Sequence, residues 1–127
     1  MVKSVFTGLI LKHPMIMVGN TKGRLTFTKF LCGLGWIDLI DEFAADCEIT
    51  GRRNGLNIFL VTVESKFGSL HVRWKVNEKM ANWEMQDFRS LNLKYAAQSR
   101  TICEVCGRRG ETIASLKTRC PLHYGIQ

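Results

Sequence analysis

The chain has no long apolar run: no stretch approaches the roughly 18 apolar residues that a membrane-spanning helix needs, so no membrane partner is expected. The opening Met-Val-Lys-Ser-Val leads into no apolar segment with a small-residue cleavage site, and it matches no lipidation signal. A reduced cytoplasm is therefore where the cysteines are expected, and a disulfide framework is not. The phosphate-cradling glycine loop, the dinucleotide fingerprint and the serine-centred elbow are all missing, as is the His-x-Glu that a zinc deaminase places ahead of Pro-Cys-x2-Cys. No small-molecule substrate is implied, and a binding protein is expected rather than an enzyme. Acidic residues are absent from residues 1–30, which hold Lys3, Lys12, Lys22, Arg24 and Lys29. Basic residues are absent from 36–50, which hold Asp38, Asp41, Glu42, Asp46 and Glu48.

What the chain does have is length for one compact domain, 127 residues, and a formal net charge of +7. Such a charge favours an acidic partner, either nucleic acid or an anionic protein surface.

The most informative stretch is residues 103–123. Cys103 and Cys106 are three positions apart, Cys120 and His123 likewise, and thirteen residues separate the pairs. A tight turn can aim both members of each pair at one point. Three thiolates and an imidazole at this spacing make a closed tetrahedral Zn²⁺ site of the structural type, with no open coordination position for substrate. Arg100, Arg108, Arg109, Lys117 and Arg119 surround it, opposed only by Glu104 and Glu111. A zinc-held loop presenting Arg108, Arg109, Lys117 and Arg119 is a candidate recognition surface.

Elsewhere, Val5, Leu9 and Leu11 alternate with Phe6 and Ile10, which reads as a short strand over residues 2–11. His13-Pro14 should interrupt it, because the residue before Pro is pushed out of the helical region and Pro has no N–H to give a ladder. His13 is expected on a surface loop. Residues 19–23 have turn chemistry, and Leu25 to Phe27 fit either a strand or the start of a helix. From Trp36, the positions Trp36, Ile37, Ile40, Phe43, Ala44 and Cys47 recur at helical spacing, with Asp38, Asp41 and Glu42 near the positive end. That helix should end before Gly51 with its acidic face solvated, and Arg52 to Gly55 should form a basic loop. Cys32 and Cys47 read as free core cysteines.

Residues 56–63, rich in Ile, Phe and Val, read as a buried strand. After a turn at 65–69, Leu70, Val72, Trp74 and Val76 alternate with His71, Arg73 and Lys75. One face of this strand should pack on the core. The other is either a phosphate-contacting row or an ordinary solvated face. A second amphipathic helix is predicted over about 80–98, with Met80, Ala81, Met85, Phe88, Leu91, Tyr95 and Ala96 on one side and Trp83 off that stripe. The expected fold class is α+β: a small antiparallel sheet packed against two amphipathic helices. Residues 1–100 form the core and 101–127 a zinc-knuckle or ribbon-like element packed on the same domain, with 99–102 as the place for a hinge.

Three blocks occur in a distinctive order: Cys32-Gly33-Leu34-Gly35-Trp36-Ile37-Asp38, then Lys66-Phe67-Gly68-Ser69-Leu70, then Ser99 and Thr101 before Cys103-Glu104-Val105-Cys106-Gly107 and Thr118-Arg119-Cys120 with His123. Together they resemble a set of small proteins encoded by bacteriophages and prophages. Those carry a Gly-Asp-Gly-Trp helix start, a Lys-Phe-Gly-x-Leu-Arg block and a terminal Cys-x2-Cys-Gly…Cys-x2-His element. The resemblance spans about residues 30–124. Leu34 stands where those proteins usually have Asp, and His71 where they have Arg.

The resemblance implies a phage or mobile-element protein acting in a bacterial host cytoplasm. It implies a host protein or nucleoprotein complex as partner, bound and inhibited as anti-CRISPR and other anti-defence proteins do. The alternative is an accessory protein that binds DNA or RNA directly through His71, Arg73 and Lys75 with the Arg108 and Arg109 loop. A His-Asn-His nuclease is the enzymatic rival, but it needs a further His beside an acid to activate water. His123 is already spent as a ligand here.

Overall fold

The computed structural model describes residues 2–21, 23–55, 57–76, 82–113 and 117–124. The fold is α+β, as the sequence predicts. Helices α1 (Val2–Lys12) and α2 (Pro14–Met17) lead into a hairpin of β1 (Val18–Thr21) and β2 (Arg24–Phe27). Strand β3 (Lys29–Leu31) follows, then a 3-10 turn over Leu34–Trp36 and the long helix α3 (Ile37–Asn54). Strands β4 (Ile58–Lys66) and β5 (Ser69–Val76) precede helix α4 (Asn82–Ser99). The C-terminal element holds two short strands, β6 (Glu111–Thr112) and β7 (Thr118–Arg119), and a 3-10 turn over Pro121–His123.

The main sheet has the order β3-β4-β5 and is mixed, β4 running antiparallel to β5 and parallel to β3. The expected antiparallel pairing thus holds for β4 and β5 and gives way at β3, which reaches the sheet by a crossover through α3. Lys66 pairs with Ser69, so the β4–β5 turn has Phe67 and Gly68 as its two residues, both at positive φ (54° and 80°). Such a turn matches the right-handed twist of the flanking strands.

A bulge at Val61 decides which side chains face the core. Leu60 opposes Trp74 and Thr62 opposes Arg73, so β4 carries one extra residue and its alternation inverts there. Ile58, Leu60 and Val63 consequently all point inward with Leu70 and Val72 of β5. Helices α3 and α4 cover that inner face. Phe43 meets Tyr95 edge-on with ring centroids 5.3 Å apart, and Phe88 lies 6.4 Å from Trp74. Phe88, Tyr95 and Ala96 of α4 are buried as the stripe predicts. The expected helix start at Met80 and Ala81, and the side chains of Trp83 and Met85, lie outside the described residues.

The N-terminal segment differs from its predicted strand. Phe6 and Leu9 lie three residues apart on one side of α1, and His13 follows at the joint with α2; all three are buried, and Phe6 stacks on Phe30 at 4.5 Å. A mixed apolar run of this length fits either period, and contact with the core selects the helical one. His13 is also not a surface histidine, being 4% exposed. Its Nε2 lies 2.5 Å from Asp41 Oδ1 and its Nδ1 meets the Glu48 carboxylate, while Lys12 Nζ bonds Asp41 at 2.7 Å. The acidic side of α3 is therefore partly a socket for the N-terminal helices rather than a wholly solvated face. Asp46 similarly accepts from the Tyr95 hydroxyl, and burial together with this carboxylate pushes the phenol's pKa upward. Helix α3 also runs past Gly51, which is buried inside it. The left-handed cap is Gly55 (φ 66°), and Arg52 and Arg53 sit in the last turn, where they complement the helix dipole.

The Lys12 ammonium, and then His13, hold the Asp41 carboxyl below the usual carboxylate range. The socket's contribution is full above the unfolded carboxyl value of about 3.9 and is lost as pH falls through the lower folded value. Asp41→Asn is expected to destabilise the fold by about 1–3 kcal/mol at neutral pH, since it weakens the pairing of a buried imidazole. Urea unfolding should show this gap closing once the pH falls below the ordinary carboxyl value and Asp41 is protonated in the folded protein. A gap that persists in acid would contradict the assignment.

Candidate metal centre and basic sheet face

The chain leaves α4 through Ser99, whose hydroxyl donates to Ala96 O at 2.6 Å and accepts from Leu70 N–H at 2.8 Å. Ser99, at the start of the stretch named as the place for a hinge, is fully buried. Cys103 N–H then bonds Arg108 O at 2.7 Å and Gly107 N–H bonds Cys103 O at 2.9 Å, closing a knuckle that turns at Gly107 (φ 82°). The β6–β7 pair carries the chain back to Cys120. The short turn that follows, with His123 N–H on Cys120 O at 2.9 Å, brings the imidazole round. Both halves of the ligand set are thus aimed by local backbone bonds, as the three-residue spacings require.

The four ligand atoms, three Sγ and one imidazole nitrogen, lie within 4.8 Å of one another. Cys106 Sγ is 3.6 Å from Cys120 Sγ, and His123 Nδ1 is 3.1 Å from Cys120 Sγ and 3.6 Å from Cys103 Sγ. A tetrahedral ion with metal–sulfur bonds of about 2.3 Å sets its sulfurs roughly 3.8 Å apart, so one ion can be held by all four. Burial disfavours the Cys103 thiolate, yet backbone groups of Cys120, Cys106 and Val105, with His123, outweigh it and lower the pKa to about 6. Cys32 and Cys47 are the opposite case. Burial, with Glu104 nearby, pushes Cys32 up to about 12, and burial beside Asp46 and Glu48 raises Cys47 as well. Both remain neutral thiols of the interior.

The three sequence blocks converge beneath this element. Glu104, 7% exposed, is the meeting point: its carboxylate accepts from Gly33 N–H at 3.0 Å and from the Ser65 hydroxyl at 2.8 Å, and it faces Arg119 Nη1 at 3.5 Å. Its carbonyl accepts from Gly35 N–H at 2.7 Å. Trp36 Nε1 donates to Ile102 O at 2.9 Å, and the Thr118 hydroxyl donates to Gly68 O. Gly35 is required by contact, since a Cβ there would lie 2.1 Å from Cys103 O. The C-terminal element is thus docked onto the α3 entry and the β4–β5 turn.

The basic residues fall into separate places. Arg108 and Arg109 are exposed and Lys117 is half-buried, consistent with an accessible loop. Arg119 is not on that surface. It is 5% exposed, turned inward to Glu104 and Thr118 O, because its strand position next to Cys120 faces the docked side. His71, Arg73 and Lys75 are exposed on the outer sheet face. They run away from the metal element, and the length of β5 places Lys75 roughly 20 Å from the Gly68 turn. The row and the arginine loop therefore do not form one cluster.

Cross-strand register adds members to the outer face that the sequence reading did not name. Lys29 pairs with Thr62, which pairs with Arg73; Leu31, Glu64 and His71 form the next row; Phe59 opposes Lys75, whose Nζ lies 5.9 Å from the ring centroid. The period-2 spacing of Leu25, Phe27, Lys29 and Leu31, all exposed, was the available signal.

These features define a class: a small α+β domain with a docked Cys3His cluster that could hold a metal ion, and a basic sheet face. No protein-family model matches the chain, and neither a curated protein nor a solved structure shows significant similarity to it. Among the described residues no helix is long and apolar enough to cross a membrane.

Proposed function

We propose that this is a zinc-stabilised, non-catalytic binding protein whose working surface is the outer face of the sheet and whose partner is a nucleic acid or a nucleoprotein complex. The observation that carries this reading is the exposed basic row of Lys29, Arg73 and Lys75 on the outer sheet face, with none of the three in an ion pair among the described residues. Cations left unneutralised by the protein's own acids are suited to phosphates, which exchange condensed counterions for them. Zinc is the metal that three thiolates and an imidazole favour, and four protein ligands suit a structural role. The resemblance to phage and prophage proteins supports a bacterial cytoplasm as the place of action.

The apolar part of the same face, Leu25, Phe27 and Leu31, each more than half exposed, favours a second reading. There the protein docks on a host protein and blocks it, in the manner of an anti-defence inhibitor. Affinity purification of the zinc-loaded protein from bacterial lysate, with and without nuclease, separates the two. Under the first reading, nucleic acid co-purifies and its binding falls steeply with salt, the slope flattening in Arg73→Ala/Lys75→Ala. A stoichiometric protein retained after nuclease, with no salt-dependent binding to DNA or RNA, would replace the first reading with the second.

A further inference from the structure

We propose that the groove between the β1–β2 hairpin and the outer sheet face binds single-stranded nucleic acid, a base stacking on Phe27 while Lys29, Arg73 and Lys75 hold the adjoining phosphates. The proposal rests on the nucleic-acid reading above and sharpens it to one form of the ligand.

The groove encloses about 350 Å³ and is lined by Thr26, Phe27, Lys29, Phe59, Val61, Thr62, Arg73 and Lys75, three cations and no acid. Its layout follows from register. Lys29 and Arg73 flank Thr62 on neighbouring strands, so the two cations stand on opposite banks, roughly 10 Å apart at the backbone. Arg73 and Lys75 succeed each other along one bank, about 7 Å apart, of the order of the phosphate-to-phosphate step of an extended strand. Among the described residues the nearest acid on this face is Glu64, in the next row opposite His71.

The aromatic rings have different parts. A Cβ on Gly19 would sit 3.0 Å from three ring atoms of Phe59, so the hairpin backbone already lies against that ring. Phe59 forms a wall and seats the hairpin. Phe27 is 54% exposed and has no such cover. A phenyl ring has nothing to offer a phosphate, and the base faces of a duplex are closed within its stack. Unpaired bases present a π-face, and stacking on an exposed aromatic beside backbone-tracking cations is how sequence-tolerant single-strand binders work.

The test is fluorescence anisotropy with the full-length, zinc-loaded protein. The probes are labelled DNA and RNA strands of about ten nucleotides, within the site sizes of such binders, and the same sequences as duplexes. The single strand, DNA or RNA, should bind at least about tenfold more tightly than its duplex. Phe27→Ala should weaken it by roughly five- to hundredfold, and Phe27→Trp should restore it. Arg73→Ala/Lys75→Ala should instead flatten the salt slope, by roughly 0.7 per removed charge. Thermal melting confirms that each variant is folded. Duplex binding equal to or tighter than single-strand binding, or a folded Phe27→Ala protein that binds like wild type, overturns the stacking proposal and leaves the broader reading standing. No binding to any of the probes overturns both.

Discussion

Chelating the metal is expected to release residues 101–124 and, with them, the packing around Trp36. The C-terminal element cannot hold itself together by pairing alone, because β6 and β7 contribute two residues each and an isolated two-stranded ribbon is marginal even when longer. Structural zinc in comparable peptides supplies apparent free energies of about 10–16 kcal/mol. A whole domain is commonly stable by only about 5–15 kcal/mol. The effect should therefore reach past the tail. Trp36 is fully buried and its indole N–H ends on Ile102 O, while Gly33 and Gly35 are seated against the backbone of Cys103 and Glu104.

Hydrogen exchange tests this directly. The amides of Cys103, Gly107, Gly110 and Gly35 should lose protection together on metal removal and regain it when zinc is returned, with the β4–β5 pairing outlasting them. Cys106→Ala should behave like the stripped protein. If the Gly35 amide stays protected while the knuckle exchanges freely, the element is merely attached to the core, and its docking contributes little to either.

The Cys3His cluster, the α4 stripe and the alternation of β5 are readable because each depends on short-range spacing. The rest depended on partners distant in sequence. Residues 2–11 could satisfy either period, and only the Phe6–Phe30 stack and the His13 socket on α3 select the helix. The face presented by Thr62 was hidden because the Val61 bulge inverts the alternation of β4 without any glycine or proline to mark it. In the sequence alone Arg119 reads as a surface cation, since nothing nearby indicates a buried acid; its partner Glu104 lies across the element. The resemblance blocks show the converse. Gly33, Gly35, Lys66-Phe67-Gly68, Ser99 and Glu104 looked like separate motifs, and in space most of them meet at one joint.

Glu104 is the residue on which that joint turns, and Glu104→Ala is expected to destabilise the protein by about 3–5 kcal/mol, the range for breaking a buried pair and stranding one charge. Arg119 is 5% exposed and its Nε already has no hydrogen-bond partner among the described residues, so without Glu104 the guanidinium keeps only the Thr118 carbonyl at 3.2 Å. Gly33 N–H and the Ser65 hydroxyl lose their acceptor in the same substitution. The charge component can be isolated. Glu104→Gln keeps an acceptor for Gly33 and Ser65 but removes the ion pair, so it should fall between wild type and Glu104→Ala. Arg119→Met alone strands the carboxylate with its two remaining donors and should be milder. In the double variant Glu104→Gln/Arg119→Met no buried charge is left, and stability should recover by more than 1 kcal/mol over the Glu104→Gln single variant, within the range measured for coupled neighbours. Chemical denaturation of the zinc-loaded wild type, Glu104→Gln, Arg119→Met and the double variant supplies the cycle. Strictly additive losses would mean that Glu104 acts only as a hydrogen-bond acceptor, with Arg119 incidental to the joint.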